Sequence, residues 1–245
     1  MTRMKHETIS GTILYTSQKE GREGEVRGRE YFTFTKHTNG SRTLRALCEI
    51  EEPDPTVLRD ITYSLDANDM PTDCFVRLMI GDEFMGAGLF RILPDAVECE
   101  SFGPSIGRLS QRLPIVGEFD GFGTHPIAGD AYITKKVDRS KGPHRHALRT
   151  FLPSPDHRGA TPPMIAEVNI SLEYVGEETV TVAAGTFDAY HFRFTDEAGG
   201  MVGASGHAHP DYDMWVTADD DAIFLKGGVG GYMQTWYELT ELTRR

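Results

Sequence analysis

The chain has 245 residues, 39% of them hydrophobic and 25% charged, with a formal net charge of -12. That length fits one large all-β domain, and the chain is too apolar for a disordered one. The negative balance argues against a nucleic-acid partner or an anionic membrane surface and favours a neutral or weakly polar small molecule.

Other broad features narrow the class. No run approaches the roughly 18 apolar residues that a membrane helix needs. The N-terminal residues Arg3 and Lys5 are not followed by an apolar stretch, and the odd set Cys48, Cys74 and Cys99 shows no CxxC spacing. Both observations lead to the expectation of a cytoplasmic protein with reduced, buried thiols.

In chain order, residues 8–16 form a first weakly alternating strand, and 18–28 a charged, Gly-rich turn. Residues 30–38 alternate Phe with Thr and end at Asn39-Gly40, a strong hairpin signal. Strands follow at 42–50, 58–65, 73–80, 84–93 and 96–102, separated by Pro53-Asp54-Pro55 and the turn 66–69. Residues 103–164 read as a long crossover with strands at 131–137 and 146–152, and such connections are usually functional or mobile. From Ile165 the meander resumes, so that 165–243 repeats the element order of 25–102. With no sustained helical period, the expected fold is a single all-β domain over 1–245, with little helix. It is an antiparallel, lipocalin-like barrel built from two similar meanders.

The run 178–189, Glu-Thr-Val-Thr-Val-Ala-Ala-Gly-Thr-Phe-Asp-Ala, followed by Met214-Trp215-Val216-Thr217, resembles a bacterial β-barrel family of unknown function. The resemblance covers about the last seventy residues. It implies an antiparallel barrel and carries no catalytic residue across. Members are often exported, which contrasts with the cytoplasmic expectation.

The densest collection of ionisable groups lies at 206–221. Alternation along a strand would put His207, His209, Asp211, Asp213 and Trp215 on one face, although Pro210 interrupts it. A histidine beside a carboxylate suits general acid–base chemistry, so His209 with Asp211 and Asp213 are candidate catalytic residues. The same residue types are metal ligands, and His207, His209 and Asp211 are the alternative metal set. His125, in a loop bounded by Gly and Pro, is the second acid–base candidate. Trp215, Tyr237 and Tyr63 are candidate ligand-binding aromatics, and Arg149 a candidate anion contact. The Gly-rich run 227–231 lacks the lysine of a phosphate loop and reads as a hairpin or bulge.

Together these features suggest a cofactor-independent lyase or isomerase acting on a hydrophobic or aromatic molecule in a barrel cavity. A non-catalytic carrier and a metal-dependent enzyme are the alternatives. Exposed barrel edges leave room for a homodimer.

Overall fold

A computed structural model describes residues 6–156, 158–195 and 209–245. Among them, fifteen strands form one sheet. They are β1 (Glu7–Ser17), β2 (Val26–Lys36), β3 (Arg42–Ile50), β4 (Val57–Leu65), β5 (Pro71–Ile80), β6 (Glu83–Ile92), β7 (Ala96–Gly103), β8 (Gly107–Pro114), β9 (Gly121–Phe122), β10 (His144–Leu152), β11 (Ala166–Val182), β12 (Gly185–Thr195), β13 (Tyr212–Thr217), β14 (Phe224–Val229) and β15 (Thr235–Arg244). The order across the sheet is β8 to β1, then β15 down to β9. Two antiparallel meanders are thus joined at the middle, where β1 pairs with β15 from Ile9↔Arg244 to Ser17↔Thr235.

The ladder is not closed by hydrogen bonds, because β8 and β9 are its two edges. It is nevertheless curled. Only residues 115–120 join β8 to β9, a span of at most about 25 Å for an extended chain. The Arg149 guanidinium holds that connection through the Val116 and Glu118 carbonyls, and the Asp120 carboxylate accepts the Arg149 amide at 2.8 Å. The lead into β11 also touches the first meander, since the Ile165 amide donates to Gln111 Oε1 on β8 at 2.9 Å. The fold is therefore barrel-like and all-β, with an open seam instead of the closed lipocalin-like wall.

Alternation decides which face turns inward. Along β4, Val57, Arg59, Ile61, Tyr63 and Leu65 are all buried, while Asp60 is exposed. One apolar core draws on both meanders, from Ile13, Phe34, Leu44 and Phe90 to Phe192, Met214, Phe224 and Leu239.

The crossover supplies an internal plug. Its expected strand at 131–137 is instead a short helix α1 (Ile127–Asp130) running into a 3-10 turn, Ala131–Lys136. Ile127, Ala128, Ala131 and Tyr132 are buried at helical spacing, a repeat too brief to stand out from the surrounding sequence. The plug is pinned at its start by Glu30, whose carboxylate accepts the Ile127 amide at 2.7 Å and the Ala128 amide at 2.9 Å.

Candidate functional site

Around the plug lies a cavity of about 390 Å³, a size suited to a compact ligand of one or two rings. Both meanders and the plug line it, through Tyr15, Tyr63, His125, Asp130, Tyr212 and Tyr237 among others. The tyrosines form a connected wall. Tyr237 meets Tyr15 edge-on at 4.9 Å and Tyr212 at 6.0 Å, an arrangement that packs well.

Two of the charged groups come from one inward row of the sheet. Glu30 on β2 opposes Cys48 on β3, which opposes Arg59 on β4. Glu30 is fully buried and its carboxylate is well supplied with donors: Tyr15 Oη at 2.8 Å, the two plug amides, and the Cys48 thiol. Burial raises its pKa, and those donors oppose the rise. Burial raises the Cys48 thiol further, aided by the Glu30 charge, so this cysteine stays protonated and inert.

Asp130 sits on the plug with its carboxyl facing the cavity. Burial first, and then the Glu30 charge, push its pKa well up, with the Arg59 charge opposing. Among the described residues no hydrogen-bond donor serves Asp130. Of two neighbouring carboxyls, the one with donors ionises first and the one without keeps its proton. Burial without donors thus favours the protonated form of Asp130, whereas the donors around Glu30 favour its anion.

Arg59 and His125 meet at Gly159. A Cβ on Gly159 would fall 2.7 Å from Arg59 Nη2 and 2.7 Å from His125 Cδ2, and its φ of 59° also favours glycine. His125 has a φ of 71°, a left-handed backbone that a non-glycine residue adopts only when its surroundings hold it. The sequence signal for this site is a charged residue at core parity. Glu30 shares its face with Phe32 and Phe34, and Arg59 shares its face with Ile61 and Tyr63.

The residues singled out from the sequence divide between two faces. His125, His209, Tyr63 and Tyr237 line the cavity. His209 turns its Nδ1 to the Pro210 carbonyl at 2.6 Å, with its ring edge-on to Phe194 at 5.1 Å. Asp211, Asp213 and Trp215 do not share that face. On β13 it is Tyr212, Met214 and Val216 that are buried, so the odd-numbered residues point outward, and Pro210 breaks the phase between His209 and the strand. Asp213 binds His191 at 2.8 Å and Arg193 at 3.1 Å. Trp215 stacks on His191 at 4.1 Å beneath the Lys226 ammonium at 4.5 Å. Arg149 also lies outside the cavity, bound to Glu167 at 2.6 Å. His207 lies outside the described residues, and of the metal set His209 faces the cavity while Asp211 is exposed. Among the described residues no three His, Cys, Asp or Glu side chains converge as a metal site.

No protein-family model and no curated protein matches the sequence. Among solved structures, the chain is similar to a β-barrel-like protein of the domain of unknown function DUF1849 from Brucella abortus. The TM-score is 0.58 at 14% identity, over 99% of this chain and 98% of that one. The chain resembles a bacterial β-barrel family of unknown function. A candidate lipoprotein from Parabacteroides distasonis, at a TM-score of 0.32 and 8% identity over 96% of this chain and 94% of that one, is far less similar. So is a candidate exported protein with a YmcC-like fold from Bacteroides fragilis, at 0.30 and 9% over 98% and 96%. At these identities the likeness describes the fold alone. No helix among the described residues is long and apolar enough to cross a membrane.

Proposed function

We propose that this chain is a small-molecule barrel that seats a compact, largely aromatic or apolar ligand in the cavity and moves a proton on it without a cofactor. The observation that carries the reading is Asp130, a half-buried carboxyl that lines the cavity and has no protein donor among the described residues. A carboxyl kept neutral in an apolar setting is a competent general acid, and a cavity-facing imidazole is a competent base at the same pH. Asp130 takes the first role and His125 the second, with His209 as the alternative base. The tyrosine wall orients the ring system. Asp211 and Asp213, on the outer face, take no part in the transfer. Elimination, hydration and isomerisation all reduce to such a paired transfer.

The test is to incubate the protein in deuterium oxide with a small-molecule extract of cells that make it, following masses over time. One component is expected to take up solvent deuterium or change into a product. Its rate should drop about 10²- to 10⁴-fold in Asp130→Asn and in His125→Ala, but stay unchanged in His191→Ala on the outer face. A component sequestered but returned chemically unaltered would make the chain a carrier. An extract from which nothing is bound would remove the ligand-binding reading altogether.

A further inference from the structure

Arg59 is 2% exposed, yet it spends its donors sparingly. Among the described residues, Nη2 donates to the Arg158 carbonyl and no other N–H finds an acceptor; Nε is buried with none. A guanidinium carries five N–H donors and a permanent charge. Burying such a charge with no carboxylate in ion-pair contact is costly, and proteins retain that arrangement where a partner arrives from outside. Arg59 lines the cavity, so an arriving partner would reach it there.

A second orphan lines the same cavity from the other meander. Among the described residues the buried Tyr212 hydroxyl has no hydrogen-bond partner, and burial raises its pKa. The other buried cation lining the cavity, Arg27, is already committed, to the Met233 carbonyl, to Thr235 and to Glu52. Among the described residues, the buried Arg59 guanidinium and the buried Tyr212 hydroxyl are therefore available to a ligand's head group.

Resting on the small-molecule reading above, we infer that the ligand bears a carboxylate, gripped by the spare N–H groups of Arg59 with the Tyr212 hydroxyl as a further donor, while its ring lies against the tyrosines. Lys136 and Arg158 also line the cavity, but unlike Arg59 neither is among its fully buried side chains. The planar fork of arginine also matches two carboxylate oxygens at once.

The test is calorimetric titration of the wild-type protein with benzoate, phenylacetate, cinnamate and naphthoate, each against its primary amide of nearly the same shape. At least one acid should bind, with its amide about 10- to 100-fold weaker, the loss expected for a charge-assisted contact. Arg59→Met should erase that preference while leaving the amide's affinity in place, and Arg59→Lys should restore part of it. If Arg59→Met does not fold, the acid-to-amide ratio of the wild type still decides. Equal binding of acids and amides, or a preference that survives Arg59→Met, would overturn the carboxylate assignment while sparing the aromatic cavity. Failure of both acids and amides to bind would instead bring down the ligand-binding reading, and this inference with it.

Discussion

Glu30 and Asp130 show how one residue type takes opposite roles in the same interior. Both carboxyls are pushed up by burial, but Glu30 receives a tyrosine hydroxyl, two amides and a thiol, whereas Asp130 receives nothing from the described residues. The difference has a thermodynamic signature. Asp130 has a folded pKa above its ordinary value of 3.8, so folding favours its protonated form. The stability it contributes is complete below the ordinary carboxyl range and is lost as pH rises toward the folded value. Each pH unit crossed removes up to about 1.4 kcal/mol. Asp130→Asn, uncharged at every pH, should thus gain stability over wild type as pH rises above the ordinary carboxyl value toward the raised folded one. Urea unfolding across that range is the check, and a constant difference between the two proteins would mean that Asp130 is ionised and held by Arg59.

At the scale of elements, the plug is what turns a curled sheet into a container for chemistry. Its fit depends on close approach. A Cβ on Gly129 would lie 2.3 Å from Thr124 Oγ1 and 3.4 Å from Leu44 Cδ2. Gly129→Ala should therefore destabilise the fold by about 1–3 kcal/mol, as overpacking does. Gly230→Ala, where an added Cβ meets nothing within 4 Å, should stay within about 0.5 kcal/mol of wild type. Denaturant midpoints compare the two, and a neutral Gly129→Ala would show that the plug is loosely seated.

Elements also differ in how openly the sequence announces them. The Phe/Thr alternation ending at Asn39-Gly40 predicts the β2–β3 hairpin, and the structure has it, with a turn at 37–41. The strand at Gly107–Pro114 escapes the pattern because its inner face is only half-buried and short, with Leu109 and Leu113 separated by Gln111. Alternation misleads at 131–137, where one helical turn buried inside the sheet carries the same apolar count as a strand. At the site, His125, Tyr63 and Tyr237 are legible as chemistry-bearing residues in a loop and in strands. Glu30, Arg59 and Asp130 are not, because their meaning lies in tertiary burial: each is a common charged residue until its parity places it in the core. The outward turn of Asp211, Asp213 and Trp215 depends on the phase of β13 after Pro210, which composition does not reveal.

Across the whole molecule, the two meanders meet at three places: the β1–β15 ladder, the seam bridged by residues 115–120, and the cavity itself. A fourth tie closes one end, where Arg42 reaches Asp69 on the β4–β5 turn at 3.6 Å and Asp221 on the β13–β14 turn at 3.9 Å. The cavity is therefore a property of the assembled chain, with neither meander lining it alone. A ligand held there must stiffen both halves together with the plug. The decisive measurement is amide hydrogen exchange along the entire chain, with and without a saturating concentration of the tightest-binding aromatic acid. The expected result is added protection in 121–137 together with β2 and β4 from the first meander and β13 and β15 from the second. Protection confined to the outer cluster of His191, Asp213 and Trp215 or to the edge strand β8, or no added protection at all, would contradict an interior site built around Asp130 and Arg59.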